Sequence, residues 1–329
     1  MPDSTPHYLS QSDEGFGQIA EDPRTAPNPR QGESAAPSPW PTVIIVLVAL
    51  PCAGALWRWK LLAPRKGTWP PAPEPWDDAQ GDTDRLRLRL EGATLLISGL
   101  CIWTSQALGA ASARTLFGVF GEEAHTPAGI ALLSAGAYSG AVVAAAICML
   151  ALPQMARRIG LAPRLGAAVE GAMLFALVFP VVLAIGSLAM WCSYALALLT
   201  DQPPPTSVAH ETLRQLISPE AGRGGAWWSA IGAVVVGAPL VEEFIYRGCV
   251  QSALDRLFRG FGSTRPAWPI VITSLLFMSA HASIAEPRAL ITLFVLSLAF
   301  GAAYRRTGSL VAPFVMHALF NAANIAMAL

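Results

Sequence analysis

From Pro41 onward the chain is a succession of long apolar runs broken by short polar segments. The runs lie at roughly residues 42–57, 94–112, 128–152, 168–200, 225–248, 268–285, 288–304 and 309–329. The hydrocarbon core of a bilayer takes about 20 apolar residues of helix, within a range of roughly 17–25. Most of the runs fit that length, the first and seventh at its short end. The run from Ala168 to Thr200 is too long for one straight span and too short for two with a loop. It predicts one tilted or kinked helix, with Pro180 as the kink. The pattern as a whole predicts an all-α, polytopic transmembrane bundle of about eight helices. Residues 1–40 have the opposite character, rich in Ser, Pro, Gly, Gln, Asp and Glu. Such a segment buries too little apolar surface to fold and is predicted to be a disordered tail. Residues 41–329 form the transmembrane domain.

Composition agrees with the pattern. Hydrophobic residues make up 53% of the chain and charged residues 13%, and the mean hydropathy is +0.46. Soluble domains carry about 25% charged residues. The net charge is zero, which gives no footprint for nucleic acid. The first forty residues contain no apolar stretch of the kind a secretory signal needs. Cys52, Cys101, Cys148, Cys192 and Cys249 lie in or beside apolar runs without CxxC spacing. They read as small hydrophobes. With eight spans, fifteen of the twenty-two Lys and Arg residues fall in the loops 58–93, 153–167, 249–267 and 305–308, all on one side. Six fall on the other side and Arg247 lies within a span. The basic side is expected to be cytoplasmic, with both termini opposite. For a bacterial chain that membrane is the plasma (inner) membrane. Within the loop 58–93, the basic residues flank a Pro-rich stretch from Trp69 to Trp76. It reads as a solvated cytoplasmic loop, with a lipid-headgroup or partner site as the sharper alternative.

Charge changes the picture again inside the last spans, where an ionisable group costs roughly 2.5–3.5 kcal/mol on insertion scales. The first such place is Val241-Glu242-Glu243-Phe244-Ile245-Tyr246-Arg247. Adjacent helical residues point about 100° apart, so the two glutamates serve different faces. Arg247 stands four residues after Glu243 and can pair with it. Glu242 is left without a local cation, and a buried carboxylate in that position is suited to proton transfer near neutral pH. The alternative is a helix that has reached the interface with its charges solvated. The second place is Phe277-Met278-Ser279-Ala280-His281, the third His317-Ala318-Leu319-Phe320-Asn321. Each of these is also readable as a hydrogen-bonding tie between helices. Position favours the sharper reading. A hairpin between the fifth and sixth runs, turning at Gly260 to Pro266, brings Glu242 and His281 to within one helical turn of the same depth. His317 and Asn321 follow the Arg305-Arg306 loop on the same side. Glu242 and His281 are then predicted to hold and deprotonate a water, with His317 and Asn321 donating to the oxyanion and Glu243 with Arg247 in support.

The three blocks resemble the CAAX prenyl endopeptidase and bacteriocin-processing (CPBP, abortive-infection) family of intramembrane proteases. Its pattern is EExxxR, FxxxH and HxxxN on successive helices, matched by Glu242-Glu243 with Arg247, Phe277 with His281, and His317 with Asn321. The stretch from Gly301 to Leu310 is also similar to the family's approach to its last motif. The resemblance covers about residues 225–329. It implies an eight-helix intramembrane endopeptidase, a hydrolase often labelled a metalloprotease, acting on peptide or protein substrates that are lipidated or membrane-associated. A zinc ion is possible chemistry for one carboxylate and two histidines, here Glu242, His281 and His317. The favoured mechanism needs no cofactor, because Asn321 suits an oxyanion donor better than a zinc ligand.

Other membrane-protease patterns are missing. His210-Glu211 runs into Arg214, not a second histidine, no GxGD occurs, and Ser139 between Gly136 and Gly140 misses the GxSG spacing. Two other classes stay open: a transporter or proton-relay protein, and a catalytically silent scaffold or immunity protein on the same fold.

Overall fold

The computed structural model describes residues 38–63, 78–162, 164–203, 205, 210–262 and 267–329. The tail expected at 1–40, except for Ser38 to Trp40, lies outside the described residues. So do the Pro-rich stretch of the 58–93 loop and residues 263–266 of the expected hairpin turn. The fold is all-α, and among the described residues the β contact is one isolated antiparallel bridge, His210 with Ala285.

In chain order the helices are α1 (Pro39–Arg58), α2 (Asp78–Phe117), α3 (Pro127–Ala151), the short α4 (Met155–Arg158), α5 (Leu165–Leu199), the short α6 (Glu211–Ile217), α7 (Gly225–Gly260), α8 (Trp268–Ala280), α9 (Pro287–Thr307) and α10 (Val311–Ala328). Seven of them, α1, α2, α3, α5, α7, α9 and α10, are long and apolar enough to cross a bilayer. The eighth predicted span is α8, at 13 residues a short apolar helix. Its apolar run was read to residue 285, but the helix stops at Ala280 and the chain turns through 281–285. Two other helices exceed their apolar runs, α2 at its start and α7 at its end. Both extensions are polar helix beyond the apolar stretch, which hydropathy cannot separate from loop. Pro180 lies inside α5, which is one helix as predicted.

The loops expected to share one side do gather at one end. Arg306 donates to the carbonyls of Lys60 (3.2 Å) and Ala63 (3.1 Å) and pairs with Glu170. Arg158 pairs with Glu91 at 3.2 Å, Arg305 with Asp255 at 3.6 Å, and Arg89 donates to the Gly260 carbonyl at 2.9 Å. Gly160, at φ +67, seals this end: its carbonyl accepts from Leu310 N, and a Cβ there would lie 2.3 Å from the Gly308 oxygen.

Two packing solutions hold the spans together. Between α2 and α3 the backbones nearly touch at Gly109, Gly136 and Gly140; a Cβ on Gly109 would sit 2.2 Å from the Gly136 oxygen. Small residues spaced this way let helices associate by van der Waals contact in a solvent as apolar as themselves. The C-terminal helices α7 to α10 use polar side chains instead.

Candidate active site

The helix that carries Glu242 and Glu243 is not uniformly α. Ala233–Gly237 and Phe244–Gln251 are π-helical and flank the α-helical turn Ala238–Glu243. Pro239 gives a reason for the first widening. It has no N–H, and its ring collides with the carbonyl four residues back in a regular helix. In the π register Ala238 N–H reaches Ala233 O. The same register assigns the Val234 carbonyl to the nitrogen of Pro239, which has no hydrogen to give. Asn321 Nδ2 donates to that carbonyl instead, at 2.8 Å. Asn321 thus ties α10 to the widened turn beside the glutamates. π segments inside α-helices are frequent at functional sites.

Glu243 and Arg247 are 1% and 0% exposed and pair as their spacing predicts, at 3.1 Å. The Arg247 Nε–H does not align with the carboxylate as a hydrogen bond, so this contact is an ion pair. Arg247 is held by other means as well. It donates to Ser297 Oγ (2.8 Å) and to the Ser297 carbonyl (3.2 Å) on α9. Its guanidinium lies over the rings of Phe277 (5.0 Å) and Phe300 (5.4 Å). These contacts offset the loss of water around a buried guanidinium.

The other oxygen of Glu243 reaches His317. The Nδ1 to Oε1 distance is 2.9 Å, and His317 is buried, stacked on Phe300 at 5.0 Å between centroids. An ionised carboxylate only accepts, so Nδ1 is the donor. Nε2 of His317 then points toward Glu242, 3.9 Å from its Oε2. Glu242 is the more open glutamate, its side chain 21% exposed, and its Oε2 is buried without a hydrogen-bond partner. His317 thus stands between the two glutamates, joined to Glu243 by a hydrogen bond and facing Glu242 across a gap.

His281 caps the C-terminal end of α8. Its backbone N–H turns back to Met278 O, which frees the Phe277 carbonyl, and its own Nδ1 takes that carbonyl at 2.8 Å. A carbonyl only accepts, so Nδ1 carries the hydrogen and Nε2 of the neutral ring keeps its lone pair. Phe277 is fully buried and lies against both histidines of the motifs. Its ring meets Tyr246 (5.1 Å), His281 (4.6 Å) and His317 (5.9 Å) as well as Arg247. The Tyr246–Phe277 contact sets the register of antiparallel α7 and α8. Glu242 stands one turn before Tyr246 and His281 one turn after Phe277, so the two share a level, as the spacing predicts.

His210 was not singled out as a site residue. Its ring lies 6.4 Å from that of His281, held there by the bridge to Ala285 and by Glu211 N–H to the Ile284 carbonyl. Burial, followed by the neighbouring His281, lowers its pKa to about 4, so it is neutral at physiological pH. Its proximity depends on a contact across more than seventy residues of chain, which no local pattern encodes.

Among the described residues no group of three His, Cys, Asp or Glu is placed to hold a metal ion. Glu242, His281 and His317 are not gathered into such a group; Nδ1 of His317 is engaged by Glu243 and Nδ1 of His281 by the Phe277 carbonyl, which leaves Nε2 as the outward nitrogen of each ring.

Comparison with curated proteins and with solved structures gives no match. A family comparison does: residues 224–323 match the model described as type II CAAX prenyl endopeptidase Rce1-like. That interval contains all three motifs and every residue of the carboxylate–histidine arrangement. The protein is therefore an integral, multi-pass membrane protein whose C-terminal segment is similar to the Rce1-like type II CAAX prenyl endopeptidase family.

Proposed function

We propose that the protein is an intramembrane, CAAX-protease-like endopeptidase in which Glu242 and His281 activate a water for attack on a peptide carbonyl. The observation that carries this reading is the buried chain Arg247–Glu243–His317 facing the unpartnered Oε2 of Glu242. Glu242 accepts a proton from the water, and His281 Nε2 holds the same water through its lone pair. The hydroxide oxygen bonds to the carbonyl carbon, and negative charge develops on the carbonyl oxygen. His317 and the second N–H of Asn321, the one not bonded to Val234, donate to that oxygen. With Nδ1–H engaged by Glu243, Nε2 donates only in the doubly protonated ring. One imidazolium and one guanidinium among two carboxylates leave the cluster neutral, which keeps it affordable in an apolar interior. The proton on Glu242 then passes to the amine nitrogen as the C–N bond breaks, giving an amine and a carboxylic acid, which releases its remaining proton to solvent or to the amine.

The substrate class is a peptide or protein at the membrane, lipidated or otherwise membrane-associated, as in the resembled family. A metal-assisted version would use Nε2 of His317 and His281 with Glu242, the Nδ1 contacts fixing both rings, and no step is assigned to an ion. The test compares the purified protein with Glu242→Gln on a farnesylated CAAX peptide and on a proteomic peptide pool. Cleavage by the parent is expected to fall about 10²–10⁴-fold in the variant, the usual worth of a general base. Equal cleavage by both refutes the assigned base. No product from either turns the reading to transport or a silent scaffold. Activity that survives verified metal removal supports the cofactor-free step, and activity lost on chelation and restored by added zinc overturns it.

A further inference from the structure

At the basic end, where α3 runs into α4, three guanidiniums converge on one carboxylate. Glu91 on α2 is 3.1 Å from Arg87, 3.2 Å from Arg158 and 3.6 Å from Arg256. Three guanidiniums share this one carboxylate, Arg256 also lying in the field of Asp255 and Arg259, and Arg157 next to Arg158 is exposed. A cavity of about 180 Å³ opens beside this cluster, lined by Glu91, Thr94, Leu95, Leu152, Pro153 and Arg158. Its lining is mixed: Glu91 and Arg158 are charged, and Leu95, Leu152 and Pro153 are apolar. On the same two helices, α2 and α3, Leu90, Ile97, Ile147 and Leu150 are exposed. The cavity therefore sits where an apolar span meets its charged end, the depth at which phospholipid phosphates lie.

We propose that this cavity binds the phosphate of an anionic phospholipid, with its acyl chains along the exposed apolar faces of α2 and α3. Arg87 and Arg158 would hold the phosphodiester, and Glu91 positions them when no lipid is bound. Arginine suits this work because its planar fork matches phosphate oxygens. A zwitterionic lipid carries a compensating cation and gains less. The site is separate from the carboxylate–histidine cluster, so it stands or fails independently of the proposed activity.

The roles of the residues give opposite signs for two kinds of variant. The detergent-purified protein is titrated with phosphatidylglycerol, phosphatidylcholine or inorganic phosphate, following thermal unfolding and lipid retention by native mass spectrometry. Phosphatidylglycerol is expected to be retained and to raise Tm above the other two. Arg158→Gln is expected to weaken its retention about fivefold, the worth of roughly one basic residue at an anionic headgroup. Arg87→Gln, at an exposed position, gives the same sign if Arg158→Gln fails to fold. Glu91→Gln is expected to strengthen retention, because it removes the carboxylate that competes with phosphate. Equal effects of the two lipids, full reproduction of the shift by inorganic phosphate, or weakened retention in Glu91→Gln would each overturn the proposal.

Discussion

The α2–α3 pair and the α7–α10 group solve the same problem in different ways. Both must hold apolar helices together where the surrounding lipid is as apolar as the helices. The first does so by shape, with Gly109, Gly136 and Gly140 letting two backbones meet and no charge between them. The second buries Glu243, Arg247 and His317 in one connected network and accepts the cost of desolvating them. The difference extends to depth in the bundle: 44% of the apolar window of α9 and 28% of those of α7 and α10 are buried, against 22% in α2 and in α3. A bundle that needed only to stay together had the cheaper solution available, and it uses it in α2–α3. Charges kept in the costlier region therefore point to chemistry, and the π-helical turns on either side of the glutamates point the same way.

The strongest way to break this comparison is to remove one charge from the network. Arg247→Met takes the guanidinium from buried Glu243 and leaves it with His317, and a loss of about 3–5 kcal/mol is expected from such a change. Thermal unfolding in detergent measures it. The double variant Glu243→Leu/Arg247→Met is expected to recover much of that stability and none of the peptide cleavage. Recovery of cleavage would show that the pair is only structural. In the other region, Gly136→Leu is expected to cost about 1–3 kcal/mol by forcing the helices apart. Its specific activity per folded molecule should stay near the parent's, read as cleavage rate after size-exclusion purification.

Asn321→Ala sits between the two kinds of effect. It orphans the Val234 carbonyl, a loss of about 1–3 kcal/mol for a buried acceptor, and it removes a donor from the proposed oxyanion site. Asn321→Asp removes both as well, since an ionised carboxylate donates to neither, so both Tm and kcat should fall. A fall in Tm alone would confine Asn321 to holding the helix. The smallest effect is expected at His210. Its folded pKa of about 4 lies below the ordinary histidine value near 6.5, so the unfolded chain binds the extra proton first. Stability from this group is complete above about pH 6.5 and is lost as pH falls toward 4. His210→Asn should flatten that part of the Tm–pH curve, and an unchanged curve would mean that another group controls it.

The transmembrane bundle was legible because a span needs only a long apolar run, and composition carries that signal without tertiary information. The Glu243–Arg247 pair was legible from its i, i+4 spacing. The common level of Glu242 and His281 followed from counting residues on either side of one hairpin. Other features were not. The polar ends of α2 and α7 read as loop, because nothing in hydropathy marks a helix that continues beyond the membrane. The end of α8 at Ala280 was hidden by the apolar residues that follow it. Pro239 was visible, but its consequence, a carbonyl left for Asn321, appears only once α10 is beside α7.

The sequence by itself determined that the protein spans a membrane several times, which residues are ionisable inside it, and that three ordered motifs lie on separate apolar segments. Only the tertiary structure decided that His317 is bonded to Glu243 while facing Glu242, that Phe277 is the wall common to Arg247 and both histidines, and that His210 stands beside His281. The physical reason is the range of the interactions. Spacing on one helix is fixed by 3.6 residues per turn and can be read directly. Contacts between helices that are distant in sequence depend on how whole spans pack, and packing is a property of the assembled bundle.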